Sequence, residues 1–276
     1  MTSNLLPVGL ALSGGTARSV THVGVIRALV EEGIPIAHVA GTSGGAVVSS
    51  FFASGMSMEK MIDISTNMNW GKLISIRLSR LGFISSKRIE EFVREAIGDV
   101  TFEDLTTPCS IITTRLENGQ KQVFNSGPVA RVVRASCGIP QIFLPVEIDG
   151  HHYVDGGFSE YLPVDTLQEL DDMFVIGVHL AQEQGIYRRP RNYLQLSIHI
   201  MSLVAKTNYI VSMEKADVLV HPYTDKYNPF DFDTSGQLID LGYDTAKALI
   251  PEIKKKWKQK SSKLQRIIKR LSPGQQ

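Results

Sequence analysis

The chain has 276 residues, of which 43% are apolar and 21% charged, and its 29 Lys and Arg against 28 Asp and Glu give a net charge of +1. This is an ordinary globular composition, and it excludes a disordered or collagen-like chain. The two cysteines, Cys109 and Cys137, exclude a disulfide scaffold. Because the sequence has no C-x-x-C pair and no Cys/His cluster, we expect reduced thiols, no metal site and no cofactor.

The first residues contain no basic leader, and no apolar stretch reaches the roughly 18–20 residues that cross a bilayer. We therefore expect a cytoplasmic protein without a signal peptide, and we leave open a peripheral contact with a membrane surface.

Strand and helix patterns alternate along the chain. Short apolar runs predict strands at 7–12, 36–40, 109–114, 122–124, 146–148 and 174–178. Helical periodicity predicts helices at 20–32, 46–53, 129–136, 164–170, 194–214 and 238–249. Such alternation favours an α/β fold with a parallel or mixed sheet covered on both faces.

The segment 56–81 departs from this plan. It holds Met56, Met58, Met61 and Met68, half of the eight methionines, together with Trp70. Flexible, apolar Met side chains suit a lipid-facing cap, and they equally suit a pair of packed helices.

The first chemical signal is a serine in a glycine-rich turn. The sequence Gly41-Thr42-Ser43-Gly44-Gly45 follows the strand at 36–40 and precedes a helix, and it matches G-x-S-x-G in the required context. Small residues two before and two after the serine allow the sharp turn that exposes its hydroxyl, and the Gly44 N–H at the helix N-terminus points toward developing negative charge. The pattern predicts Ser43 as a nucleophile, against the alternative of a simple helix-starting turn.

A second glycine-rich turn follows the first strand, with the sequence Ser13-Gly14-Gly15-Thr16-Ala17-Arg18. It lacks the Lys of a phosphate-binding P-loop and the G-x-G-x-x-G spacing of a dinucleotide site. A loop that supplies backbone N–H groups to an oxyanion fits this position better.

The sequence does not select a histidine as the general base. None of the seven histidines stands in a setting that marks it as a partner of Ser43, and an α/β-hydrolase would place more strands before the nucleophile. Asp155 is better placed, at the end of a short strand and before Gly156-Gly157. A simple Asp-Gly turn is the competing interpretation.

Three separated blocks together resemble the bacterial patatin-like phospholipase family of the neuropathy-target-esterase type. They are LALSGGTARSVTHVGVIRAL (10–29), GTSGGAVVSS (41–50) and ASCGIPQIFLPVEIDGHHYVDGGFSEYLPVD (135–165). The resemblance covers residues 8 to about 250. It implies a three-layer α/β/α sandwich with a mostly parallel central sheet.

The resemblance also implies the site residues. Ser43 is the expected nucleophile and Asp155 the expected base, forming a dyad without histidine. The expected oxyanion hole is formed by Gly14, Gly15, Thr16 and Gly44. The resemblance implies that Arg18 steadies the oxyanion loop, and the expected supporting residues are Arg18, Gly41, Gly45, Gly156 and Gly157.

This chain departs from the family pattern in two places. The family has a longer glycine run that closes with Gly after Arg, where this chain has Thr16 and Ser19. Thr16 would be strained if its position needs a positive φ, because it is β-branched. Glu160-Tyr161 stands where the family commonly has Asn, which affects packing near the site.

The C-terminal segment 251–276 differs from the rest in charge. It has nine cations and one acid, a net charge of +8, which leaves the remainder of the chain at −7. Ile253, Trp257, Leu264, Ile268 and Leu271 fall on one side at helical spacing. We expect a catalytic domain over 1–250 and a basic amphipathic helix over 251–276, either on an anionic membrane surface or docked on the acidic body. The tail has no nucleic-acid-binding module, so no nucleic-acid partner is expected.

The function that the sequence predicts is hydrolysis of lipid acyl esters, such as phospholipids or lysophospholipids, through an acyl-serine intermediate. Partial burial of Asp155 should raise its pKa toward the working range. Two alternatives stay open: an acyltransferase that uses the same intermediate, and a degenerate lipid-binding module without catalysis.

Overall fold

The computed structural model describes residues 5–67, 85–140, 142–180, 189–191, 193–228 and 233–271. The strands are β1 (Val8–Leu12), β2 (Ile36–Thr42), β3 (Cys109–Arg115), β4 (Lys121–Phe124), β5 (Val146–Ile148), β6 (His151–Asp155), β7 (Phe174–Val178) and β8 (Val218–Val220). The helices are α1 (Thr21–Glu31), α2 (Gly44–Ala53), α3 (Met58–Asn67), α4 (Lys87–Ile97), α5 (Val129–Ser136), α6 (Val164–Leu170), α7 (Tyr193–Lys215) and α8 (Ser235–Leu271).

The strands form one mixed sheet in the order β5-β6-β3-β2-β1-β7-β8, with β4 paired to β3. β3, β2, β1, β7 and β8 pair in parallel, as the alternating pattern predicted. The pairings of β4, β5 and β6 are antiparallel. The carboxyl ends of β1 and β2 therefore lie side by side, and the antiparallel β6 joins this region through β3.

Two cores flank the sheet and give the expected three layers. Leu10 and Leu12 of β1 point to a core that includes buried residues of α1, α2, α5 and α8. Ala11 points to the opposite face, where Leu167 of α6 and Tyr209 of α7 pack. This alternation follows from the two-residue period of a strand, and both faces are apolar because helices cover both.

The C-terminal helix differs from the prediction. The sequence predicted a helix over 238–249, and the observed α8 starts at Ser235 and continues through Pro251 to Leu271. A proline inside a helix normally favours an end or a kink. Here Ile253 and Trp257 lie beyond the proline and are buried in the main core. Helix α8 and the main core therefore both continue beyond residue 250. The division into a domain over 1–250 and a tail over 251–276 stays a prediction.

The first half of the basic segment is docked on the body of the protein. The Trp257 indole N–H donates to the Leu6 carbonyl at 2.8 Å. Lys254 pairs with Glu32 at 2.8 Å, and Lys260 pairs with Asp217 at 2.6 Å. The apolar side chains at 253 and 257 are therefore buried against the protein, as in the docked one of the two arrangements that the sequence left open.

In the segment 56–81, only part of the prediction can be compared with the structure. Residues 58–67 form α3, and Met61 is fully buried against the main core. Met68 and Trp70 lie outside the described residues. Within the described part of the chain, no helix has both the length and the apolarity that crossing a membrane requires.

Candidate active site

Ser43 occupies the sharp turn between β2 and α2. Its backbone has φ 54° and ψ −122°, a conformation that is unfavourable for a residue with a side chain. A Cβ on Gly41 would lie 2.0 Å from the Ser49 Oγ, and one on Gly45 would lie 2.4 Å from the Leu12 carbonyl oxygen. Both flanking glycines are thus required by close packing, which is the steric reason that the sequence motif predicted.

The structure brings Ser43 and Asp155 together from 112 residues apart. The Ser43 hydroxyl donates to Asp155 Oδ2 at 2.7 Å. Asp155 Oδ1 accepts a second hydrogen bond from the Gly157 backbone N–H at 2.8 Å. Both carboxylate oxygens are therefore occupied, and the orientation of the carboxylate toward Ser43 is fixed.

Burial sets the proton affinity of this carboxyl group. Asp155 is fully buried, and this burial raises its pKa from 3.8 to about 7, while the hydrogen bonds from Gly157 and Ser43 lower the pKa in part. A carboxyl group with a pKa near neutrality is matched to general-base catalysis at physiological pH. The rise agrees with the expectation from the sequence.

The turn after Asp155 also needs its glycine. A Cβ on Gly156 would lie 2.3 Å from the Ile112 carbonyl oxygen of β3. On the other side, Asn208 of α7 donates to the Gly157 carbonyl at 3.1 Å. Asn208 was not predicted from the sequence, because nothing in the helical pattern of α7 distinguishes it from a solvent-facing polar residue.

Two neighbours hold the backbone of Ser43. The Ser136 hydroxyl accepts a hydrogen bond from the Ser43 N–H at 2.9 Å and donates to the Ile112 carbonyl at 2.6 Å. The Cys137 thiol donates to the Ser43 carbonyl at 3.2 Å, and burial raises the pKa of that thiol. Both residues lie in the third sequence block, but neither was singled out for this role.

In the oxyanion loop, Gly14 is bonded to Tyr161 through both of its backbone groups. The Gly14 N–H donates to the Tyr161 carbonyl at 3.2 Å, and the Tyr161 hydroxyl donates to the Gly14 carbonyl at 2.7 Å. The Gly14 N–H thus has an acceptor in the resting structure, and its place in the oxyanion hole stays a prediction. A Cβ on Gly14 would lie 2.7 Å from the Tyr161 ring, so only a glycine leaves room for these two hydrogen bonds with Tyr161.

Two of the other predicted donors lie beside Ser43. Thr16 and Gly44 line one cavity together with Ser43, and Gly15 precedes Thr16 in the chain. Gly44 opens α2, where backbone N–H groups have no acceptor within the helix. Thr16 has φ 52°, the left-handed region that disfavours β-branched residues. The strain expected at this position is present.

Arg18 lies behind the loop. It is buried, and its Nε and Nη1 have no hydrogen-bond partner among the described residues. Burial lowers the pKa of its guanidinium, which nearby Tyr161 and Asp225 partly offset. Its role in steadying the loop stays a prediction that rests on the family resemblance.

Two of the histidines form hydrogen bonds away from the Ser43–Asp155 pair. His22 hydrogen-bonds the Ser13 carbonyl at 2.9 Å, and burial lowers its pKa to about 4. His38 hydrogen-bonds the Ser110 hydroxyl at 2.9 Å. The hydrogen bonds of the Ser43 hydroxyl and the Asp155 carboxylate involve no histidine.

An apolar cavity of about 120 Å³ opens beside Ser43. One side of α2 forms its wall with Val47, Val48 and Phe51, and α4 contributes Ile89 and Phe92. Phe51 and Phe92 meet edge to face with ring centroids 5.6 Å apart. The cavity offers hydrocarbon contacts to a group attached at Ser43.

Glu160 and Tyr161, the second departure from the family pattern, both pack near the site. The buried Glu160 carboxylate accepts a hydrogen bond from the Thr166 N–H at 3.0 Å and pairs with Lys121 at 3.2 Å. The Glu160 carbonyl accepts from the Thr42 hydroxyl at 2.8 Å. Glu160 thus ties the start of α6 to the residue that precedes the nucleophile.

Proteins similar in sequence match this chain over only part of their own length. An uncharacterized NTE family protein of Mycobacterium tuberculosis is 35% identical over 182 residues, which are 63% of this chain and 49% of that protein. Neuropathy target esterase sws of Drosophila melanogaster is 24% identical over 274 residues, covering 86% of this chain and 19% of that protein. Lysophospholipase nte1 of Emericella nidulans is 24% identical over 278 residues, covering 90% of this chain and 18% of that protein. The chain therefore spans about half the length of its mycobacterial relative and less than a fifth of the other two.

Solved structures and a family model give the final comparison. The crystal structure of VipD from Legionella pneumophila has a TM-score of 0.54 at 16% identity, covering 90% of this chain and 67% of that one. The crystal structure of the type III effector protein ExoU has a TM-score of 0.51 at 15% identity, covering 92% of this chain and 53% of that one. Both share the fold. The family model described as patatin-like phospholipase matches residues 10–167, more than half of the chain. The chain with this Ser43–Asp155 pair belongs to the patatin-like phospholipase family.

Proposed function

We propose that the chain is a serine hydrolase of lipid acyl esters that works through a Ser43–Asp155 dyad. The observation that carries the proposal is the 2.7 Å hydrogen bond from the Ser43 hydroxyl to the buried Asp155 carboxylate, beside an apolar cavity. The family and the lysophospholipase name of a relative support a lipid ester as substrate.

The first step forms an acyl-serine. Ser43 Oγ attacks the ester carbonyl carbon, and its proton passes to Asp155 Oδ2. The carbonyl electron pair moves onto the oxygen, where N–H groups of Gly15, Thr16 and Gly44 stabilise the negative charge. The tetrahedral intermediate collapses, the alcohol leaves with the proton from Asp155, and Ser43 keeps the acyl group.

The second step releases the acid. A water molecule attacks the acyl carbon, Asp155 takes one proton from it, and the same N–H groups stabilise the second oxyanion. Collapse breaks the bond between Ser43 Oγ and the acyl carbon, and Asp155 returns the proton to Ser43.

The apolar cavity is the proposed acyl-chain site. Since an apolar cavity of about 150 Å³ holds benzene, the volume beside Ser43 holds roughly five carbon atoms. The wall that α4 provides is anchored, because Arg134 of α5 donates to the Ser86 hydroxyl at 2.9 Å and pairs with Glu90 at 2.9 Å. One wall of the proposed acyl-chain site is therefore tied to α5.

A panel of phospholipids, lysophospholipids and simple esters tests the function, with Ser43→Ala as the matched control. We expect fatty-acid release by the wild type only. An added alcohol acceptor separates hydrolysis from acyl transfer, because a transferase would form a new ester in preference to the acid. A wild type that hydrolyses nothing and is never labelled by a fluorophosphonate would leave only a lipid-binding module.

A contact with anionic membrane through the basic helix is a separate part of the proposal. Lys255, Lys258 and Lys263 of α8 are exposed, and each cation near an anionic surface adds about 1 kcal/mol of binding. The charge-reversed variant K255E/K258E/K263E is a sharper test than truncation, which would remove the buried Trp257. We expect the wild type to sediment with anionic vesicles at low salt and the variant to stay in solution. Equal sedimentation of both proteins would remove the membrane contact.

A further inference from the structure

Ser19 is buried beside the nucleophile, and its hydroxyl is not hydrogen-bonded. The residue is 4% exposed, and its Oγ has no hydrogen-bond partner among the described residues. It lines the same cavity as Ser43 and Gly44. Nearby buried serines behave differently, since Ser49 donates to the Gly45 carbonyl at 2.6 Å and Ser50 to the Val47 carbonyl at 2.7 Å.

The Ser19 hydroxyl lies between the two glycines that present N–H groups. A Cβ built on Gly44 would be 1.8 Å from Ser19 Oγ, and a Cβ built on Gly15 would be 3.0 Å from it. With ordinary bond lengths, Ser19 Oγ is within about 3.4 Å of the Gly44 Cα. The hydroxyl therefore adjoins both halves of the proposed oxyanion hole.

A buried hydroxyl without a partner is costly unless its partner arrives during function. An oxyanion that forms in the cavity beside Ser43 is such a partner, because a fixed donor in a water-poor site stabilises developing charge strongly. In the resting structure the Gly14 N–H of the same loop already donates to the Tyr161 carbonyl, whereas the Ser19 hydroxyl has no such partner among the described residues.

We propose that the Ser19 hydroxyl is an additional donor to the oxyanion of the tetrahedral intermediates. This inference rests on the proposed ester hydrolysis. When Ser43 attacks, the carbonyl electron pair moves onto the oxygen, and the Ser19 O–H donates to that oxygen beside the Gly44 N–H. The hydroxyl keeps its proton throughout, and the hydrogen bond is released when the carbonyl re-forms.

Ser19 is a departure from the family pattern described above. That pattern closes the glycine loop with Gly after Arg, and Ser19 stands in that place. A glycine offers no side-chain donor, so a serine at this position adds a hydrogen-bond donor to the loop.

The experiment compares Ser19→Ala and Ser19→Gly with Ser50→Ala, a buried serine of α2 whose hydroxyl bonds within its own helix. For an ester substrate we expect both Ser19 variants to lose about 100-fold in kcat with little change in KM, the size typical of one lost oxyanion donor. The affinity for a trifluoromethyl ketone, whose serine adduct carries an oxyanion, should fall by the same factor.

Thermal unfolding separates a catalytic from a structural role. Because the resting Ser19 hydroxyl has no partner to lose, Ser19→Ala should keep or raise the Tm while kcat falls. Ser50→Ala should keep kcat. If the wild type is active and Ser19→Ala matches its kcat and ketone affinity, the Ser19 inference is overturned alone. A wild type as inactive as Ser43→Ala would overturn the proposed function together with it.

Discussion

The backbone N–H of Ser43 donates to the hydroxyl of Ser136 at 2.9 Å, and that hydroxyl in turn donates to the Ile112 carbonyl. One serine of α5 therefore connects the strained nucleophile to the adjoining strand β3. Ser43 holds φ 54°, a conformation that costs of order 1–3 kcal/mol and persists only where neighbours enforce it. We propose that Ser136 is a positioning residue for Ser43, the proposed nucleophile.

Replacing Ser136 by Ala should lower both stability and turnover. Two buried backbone groups lose their partner, which costs about 1–3 kcal/mol of unfolding free energy, and the loosened turn should reduce kcat about tenfold. Urea unfolding and ester kinetics measure the two effects, and Ser136→Thr should rescue kcat in part because it retains the hydroxyl. Unchanged kcat in a folded Ser136→Ala protein would remove the positioning role.

The buried carboxyl of Asp155 predicts a pH-dependent stability difference. Burial raises its pKa from 3.8 to about 7, so the folded protein favours the neutral carboxyl group. The stabilisation that this preference gives is complete below about pH 4 and is lost as pH rises through about 7. Asp155→Asn cannot ionise. We therefore expect the unfolding free energy of Asp155→Asn, relative to the wild type, to increase by about 4 kcal/mol between pH 4 and pH 8.

Urea unfolding of both proteins across this pH range measures that difference. Asp104→Asn is the control, at an exposed carboxylate whose hydrogen bonds with Thr101 lower its pKa. Its stability relative to the wild type should stay nearly flat from pH 4 to pH 8, because the stabilisation by a lowered pKa is lost only below about pH 4. A relative stability of Asp155→Asn that stays flat from pH 4 to pH 8 would show that Asp155 is not a raised, buried acid.

The size of the cavity predicts a preference for short acyl chains. With room for roughly five carbon atoms, the wild type should favour butanoyl to hexanoyl esters over dodecanoyl esters by at least tenfold in kcat/KM. Phe92→Ala removes one wall and should move the optimum to longer chains, since each newly buried methylene contributes about 0.8 kcal/mol.

The matched control is Phe124→Ala, which removes a ring that also meets an aromatic partner edge to face but lies on β4 away from the cavity. The chain-length profile of this control should follow the wild type. A Phe92→Ala profile that is identical to the wild type would exclude Phe92 as the residue that limits chain length.

The strained Thr16 predicts a stabilising substitution. At φ 52° a glycine relieves the crowding of a β-branched side chain, so Thr16→Gly should raise the unfolding free energy by about 1 kcal/mol. Asp149→Gly, at φ 50° in a distant turn, serves as a positive control in the same urea assay. If Thr16→Gly lowers the unfolding free energy while Asp149→Gly raises it, the contacts of the Thr16 side chain stabilise the fold by more than its backbone strain costs.

The sequence predicted the elements that local pattern determines. The strand at 174–178 and the helices at 129–136 and 164–170 were predicted with their observed bounds, because their apolar periodicity is unbroken. The helix at 238–249 was extended by tertiary packing, since Ile253 and Trp257 bury their side chains beyond Pro251. Strand β8, only three residues long, had too short a pattern to be recognised.

In the candidate site, too, the residues marked by a local motif were predicted, and their partners from distant parts of the chain were not. Motif spacing was enough to select Ser43 and Asp155 as candidates, and the glycines beside Ser43 were expected for steric reasons that the structure bears out. The contacts of Gly14 with Tyr161, of Gly157 with Asn208 and of Ser43 with Ser136 join residues 51 to 147 positions apart. Such partners depend on the folded arrangement, and no local pattern marks them.

The measurement that tests the dyad most directly is the ester turnover of Asp155→Asn beside the seven single His→Ala variants in one assay, with folding checked by circular dichroism. We expect Asp155→Asn to be as inactive as Ser43→Ala and every folded histidine variant to retain turnover. A histidine variant as inactive as Asp155→Asn, or an Asp155→Asn protein with wild-type turnover, would contradict the Ser43–Asp155 dyad.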